Sequence, residues 1–208
     1  MSTSYKTVRD FGCDELTEKR SRFIGYCKPV TTEQDAIDFI NKIKKEHWDA
    51  RHNVYAYCLR EGQIKRYSDD GEPQGTAGMP VLDVMLKNEV TDAVVVVTRY
   101  FGGILLGTGG LVRAYSAGCK IALDSAKIVT MQLCSDCSVT CSYTQYGKLN
   151  TLIIAGGGYV DDTDFADDVT LRFHIPTELI PALNKEFADA TAGKISVEII
   201  EEKYYQIL

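Results

Sequence analysis

No stretch of this 208-residue sequence approaches the roughly 20 consecutive apolar residues of a membrane-crossing helix, so no membrane association is expected. The opening residues, MSTSYKTVRDFG, lack the apolar core of a secretory signal peptide. Basic residues are not in excess: the formal net charge is −6, which gives no general nucleic-acid signature. Paired cysteines are also missing. The seven cysteines are odd in number and scattered, which suits a reducing cytoplasm better than a disulfide framework. Their one cluster is Cys134-x2-Cys137-x3-Cys141, and a metal site would need a second Cys/His pair, for which His174 is the only later candidate. Cys137 and Cys141 instead alternate with Val139 as on a strand, so neither a metal nor another cofactor is expected.

What remains is an ordinary globular composition, 45% apolar and 25% charged. The charge is unevenly spread. Residues 1–134 hold 18 Lys+Arg against 17 Asp+Glu, and residues 135–208 hold 5 against 12, a balance of +1 beside −7. The asymmetry predicts two domains, 1–134 and 138–208, with 133–137 as the linker and any anionic partner meeting the first.

Along the first domain, Lys19–Val30 reads as a strand stopped near Pro29, and Thr31 or Thr32 caps a helix with apolar Ala36, Phe39, Ile40 and Ile43. Strands follow at Asn53–Leu59 and Ile64–Tyr67, and a helix at Val81–Leu86. Val94–Val97 is too apolar for an alternating surface strand, so it is expected to be buried on both faces. Ala126–Leu133 closes this domain as a strand. In the second, the elements read βαββαβ over about 70 residues, the split-βαβ, ferredoxin-like order.

The chemistry concentrates after the valine run. Thr98-Arg99-Tyr100 leads into a loop with Gly102, Gly103, Gly107, Gly109 and Gly110, and then Leu111, Ala114, Tyr115 and Gly118 recur at helical spacing. A strand, a glycine loop and a helix start together offer free N–H groups and a positive dipole end to an anion. The loop matches neither standard nucleotide fingerprint: Thr108 and Gly109 stand where a Walker motif needs Lys and Ser/Thr, and Val112 stands where a dinucleotide motif needs Gly or Ala. Asp69, Asp70 and Glu72 form an acidic loop between glycines and prolines. They can bind a hard cation, orient Arg99 and Arg113, or simply cap the next helix.

Two stretches, Arg66–Pro80 (RYSDDGEPQGTAGMP) and Thr98–Gly118 (TRYFGGILLGTGGLVRAYSAG), closely resemble the signature of the YigZ/IMPACT family, and Ser21-Arg22-Phe23-Ile24 and His52 with Ala56-Tyr57 resemble its earlier blocks. The resemblance spans the chain in its bacterial two-domain form. It implies an α+β fold: an N-terminal domain like the second domain of the fifth small-subunit ribosomal protein, and a C-terminal domain like a ferredoxin-like domain of elongation factor G. Eukaryotic members of the family are translation regulators that interfere with activation of the kinase acting on initiation factor two, and they carry a different, N-terminal partner-binding domain where this chain is expected to have the ferredoxin-like module instead. That kinase role is therefore not carried over, whereas an association with RNA or the ribosome is.

The leading expectation is a non-enzymatic cytoplasmic protein that binds RNA or a ribosomal surface. Its candidate anion contacts are Arg22, His52, Arg66, Arg99, Arg113 and the Gly102–Gly110 backbone. The alternative is an enzyme acting on a phosphorylated small molecule, with His52 as base and the Asp69/Asp70/Glu72 group holding Mg²⁺.

Overall fold

The computed structural model describes residues 3–207. The protein is α+β, with two sheets and five α-helices among the described residues, and divides into two compact units, Tyr5–Thr130 and Met131–Ile207, the latter with Thr3 and Ser4. No helix among the described residues is long and apolar enough to cross a membrane.

The chain opens with β1 (Ser4–Val8), β2 (Gly12–Glu18) and β3 (Ser21–Pro29). Helix α1 (Glu33–Glu46) follows, started by Thr32, whose hydroxyl accepts the Asp35 N–H. Next come β4 (His52–Cys58), β5 (Lys65–Ser68), α2 (Gly78–Lys87), β6 (Ala93–Tyr100) and α3 (Thr108–Ala126). The first unit's main sheet has the order β2-β3-β6-β4-β5, antiparallel throughout. Central β6 is buried from Ala93 to Arg99 because both sheet faces are covered. Val95 and Val97 pack with α2 and α3, against Met85, Leu111 and Tyr115. Val94 and Val96 pack with α1, against Phe39, Ile40 and Ile43. Period-two alternation thus turns an unbroken valine run into two half-cores.

Strand β7 (Ile128–Cys141) begins in the first unit and runs into the second, where α4 (Tyr143–Ala155), the β8 (Tyr159–Phe165) and β9 (Val169–Pro176) hairpin, α5 (Ile180–Thr191) and β10 (Glu198–Ile207) follow. The second sheet has five strands in the order β1-β7-β9-β8, with β10 also paired to β7, and Leu149, Ile153, Leu183 and Phe187 of the helices pack on Val139, Leu171 and Phe173.

The linker expected at 133–137 is not a loop. Those residues lie in mid-strand, paired with β9 from Cys134 onward, and the boundary between units falls at 130/131. The change in charge balance suggested a break here, yet the polar groups of the segment are satisfied in place. Ser135 is fully buried and its hydroxyl meets that of Thr177 at 2.8 Å, while Asp136 accepts the Tyr205 hydroxyl. With partners on both sides, the strand continues.

Candidate anion-binding site

Arg99 stands one residue from the end of β6, in register with Phe23 of β3 and His52 of β4. Alternation sends these side chains to the α2/α3 face, beside the start of α3. Gly107 begins that helix with φ +72°, a left-handed backbone that favours glycine, and no side chain caps it. A second glycine is required by close approach: a Cβ on Gly102 would lie 2.0 Å from the Arg20 carbonyl.

Arg99 is 5% exposed and Glu72 8%. The Arg99 Nη1 donates to Glu72 Oε1 at 2.6 Å, the Tyr115 hydroxyl donates to the same oxygen at 2.8 Å, and His52 Nε2 lies 3.7 Å away. Arg99 Nη2 reaches Ser21 Oγ at 3.5 Å, and that oxygen also accepts the Gly102 N–H at 3.2 Å. The Arg99 Nε is buried with no hydrogen-bond partner among the described residues. His52 Nδ1 is 2.8 Å from the Asp70 carbonyl, which only accepts, so Nδ1 carries the proton and in the neutral ring Nε2 is an acceptor. Burial, followed by the adjacent Glu72 carboxylate, pushes the Tyr115 hydroxyl well up, so it stays a neutral donor.

Above this group is a cavity of about 420 Å³. Arg51, His52, Glu72 and Arg99 give its polar wall, Phe101, Leu105, Leu106 and Leu111 its apolar wall, and Gly107 and Thr108 bring in the helix start. The Arg51 guanidinium lies 5.6 Å from the centre of the Phe101 ring.

The three carboxylates of the acidic loop face three different partners. Asp69 accepts the N–H groups of Gly75, Ala77 and Gly78, which makes it the cap of α2. Asp70 joins Lys44 Nζ at 2.6 Å and the Asn53 N–H at 2.6 Å. Glu72 orients Arg99.

Of the residues singled out from sequence, His52, Glu72, Arg99 and Gly107 line the cavity. Gly109 and Gly110 occupy the first turn of α3, and Gly103 the loop before it. Arg22 and Arg66 fall on the opposite, α1-facing side of the sheet: Arg22 pairs with Glu15 at 2.5 Å, and Arg66 Nε lies 3.8 Å from Glu33 of α1. Arg113 is exposed on α3 and lies outside the cavity lining. Sequence reasoning missed Arg51, Phe101, Leu105, Thr108 and Tyr115. The apolar Ile104-Leu105-Leu106 set between glycines was a signal for part of that set, since Leu105 is 82% exposed.

Residues 19–123, which hold this site, match the profile of the Impact N-terminal domain, and residues 139–194 match a domain of unknown function, DUF1949. The chain is 37% identical over 207 residues to the IMPACT family member YvyE of Bacillus subtilis, covering 99% of this chain and 95% of that one. It is 34% identical over 187 residues to the family member YigZ of Escherichia coli, covering 88% and 92%. The Protein IMPACT homolog of Dictyostelium discoideum is 39% identical over 97 residues, 44% of this chain and 28% of that protein. A crystal structure described as that of an hypothetical protein superposes with a TM-score of 0.61 at 32% identity, over 98% of this chain and 100% of that one. With both domain profiles matched in order and likeness to two relatives along most of its length, the chain belongs to the IMPACT family.

Proposed function

We propose that this protein is a non-enzymatic module that associates with RNA or the ribosome, as a regulator of translation in the cytoplasm, and seats a phosphate group at the start of α3. The observation that carries the reading is the Arg99 Nε, buried without a partner beside a cavity that also receives an uncapped helix start. A buried ion pair adds little to stability over an apolar pair, so keeping Arg99 and Glu72 here fits a binding role. An N–H group with no partner is offset when an anion accepts it. Phe101 and the exposed Leu105 supply a surface on which a base next to the phosphate can stack. The element order of the second unit supports its reading as a ferredoxin-like module, and the first is read as the ribosomal-protein-like one.

The test is binding of a labelled single-stranded RNA, and co-sedimentation with ribosomes, across a salt series. Affinity is expected to fall with salt, and Arg51→Ala, an exposed change, is expected to weaken binding and flatten the slope by about one. Salt-independent binding, or none, would overturn the reading. His52 Nε2 in the same cavity favours one second reading, an enzyme acting on a phosphorylated small molecule. Turnover of such a compound, lost in His52→Gln, would replace the first reading.

A further inference from the structure

In the second unit, α4 and α5 pack on one face of the sheet. Cys137, Val139, Leu171 and Phe173 point to α4 and α5, so the residues between them, Asp136, Ser138, Arg172 and His174, point the other way. No α-helix of this unit packs there among the described residues. Three rings stack across that face. His174 lies parallel to Tyr205 with centroids 4.0 Å apart, and to Tyr159 at 5.3 Å. The row is fixed from its edges, since His174 Nδ1 meets the Asp161 carboxylate at 2.8 Å and the Tyr205 hydroxyl donates to Asp136. Tyr159 ends the row 66% exposed.

Aromatic rings on the open face of a βαββαβ sheet are a surface on which RNA bases can stack. Here the charge has the wrong sign for RNA. Arg172 pairs with Asp162 and Lys203 with Asp136, so both cations are already matched, and Asp164 and Glu198 have no basic partner among the described residues. The segment 135–208 carries 5 basic against 12 acidic residues. A phosphate chain would be repelled, whereas a cationic side chain meets carboxylates and a ring face together.

We infer that this face docks an arginine-rich segment of a partner protein, with a guanidinium laid over Tyr159 and its neighbours paired to Asp164 and Glu198. Fluorescence anisotropy of the full chain with a labelled peptide of alternating arginine and serine tests it. Tyr159→Ala, which changes no charge, is expected to weaken binding roughly three- to fivefold. Asp164→Asn with Glu198→Gln is expected to weaken it roughly tenfold. Glu186→Gln with Asp189→Asn makes the same charge change on exposed positions of α5, across the sheet, and is expected to leave binding within about twofold. If the α5 pair weakens binding as much as the sheet pair, or if Tyr159→Ala leaves it unchanged, general charge attraction explains the affinity and the docking face is wrong. If Tyr159→Ala instead lowers binding of a labelled single-stranded RNA, the face serves nucleic acid and the inference is overturned.

Discussion

Arg99 and Glu72 meet at 2.6 Å with both side chains more than nine-tenths buried, and Glu72 is held on its other side by the Tyr115 hydroxyl. The pair fixes the guanidinium in the sheet so that its Nε is left over. Removing one partner strands the other charge in a low-dielectric setting, so Glu72→Ala is expected to cost about 3 kcal/mol or more in urea unfolding. Replacing both, as Arg99→Met with Glu72→Leu, is expected to recover much of that loss while abolishing anion binding. A double variant that loses the sum of the two single losses would mean the two side chains do not act as a pair.

The glycines separate into two kinds. Gly102→Ala forces a Cβ to within 2.0 Å of the Arg20 backbone, which cannot yield as a side-chain tip can, and is expected to lower stability by more than about 3 kcal/mol. At Gly109 the nearest atom to an added Cβ is the flexible end of Arg113 at 3.6 Å, so Gly109→Ala is expected to keep the fold. Gly110, whose composition context first suggested ligand contact, has the Leu106 Cβ at 2.9 Å, which makes packing part of its role. Parallel melting curves check the ranking, and a stable Gly102→Ala protein would contradict it.

Stability is expected to fall in alkali. Burial raises the thiols of Cys27 and Cys119 and pushes Cys58 up to about 11, against 9.0 for an unperturbed thiol, and it raises the Tyr115 phenol above its ordinary 10.0. Each folded value lies above its unfolded one, so the contribution is complete below the unfolded pKa and is lost as pH rises toward the folded one. The urea midpoint is therefore expected to hold up to about pH 9 and to drop through pH 11. A midpoint unchanged across that window would mean these groups ionise freely in the native state.

Because β7 is one strand, limited thermolysis is expected to spare Ile128–Cys141 and to cut first in the loop at Leu105. Amide exchange is expected to be slow from Ser135 to Cys141, where the strand pairs with β9. A first cut between residues 133 and 137 would restore the linker reading.

Some of this was legible in the residues. Four successive valines can only be buried on both faces, and Thr32 with Glu33 and Asp35 marks the start of α1. The periodicity that put Leu111, Ala114 and Tyr115 inside also put Arg113 outside, so its exposure was readable though not drawn. Arg22 and Arg66 were different. Their side of the sheet depends on the register with Tyr100 and Tyr57, and a one-residue slip reverses every side chain. The Glu72–Tyr115 contact joins residues 43 apart in the chain and has no local signature. β2, with the polar sequence GCDELTE, is half of a hairpin whose partner β3 supplies the burial, so composition gave it no mark.

The central claim is that a phosphate is read at the mouth of α3, on the Arg99 side of the sheet. The most direct measurement is the salt dependence of single-stranded RNA binding for the wild type beside Arg51→Ala, Arg22→Ala and Arg113→Ala, three arginine deletions at exposed positions. The account predicts that Arg51→Ala alone weakens binding and lowers the salt slope by about one, while the other two bind as the wild type does. Equal effects from all three, or an effect from Arg22→Ala and none from Arg51→Ala, would contradict it.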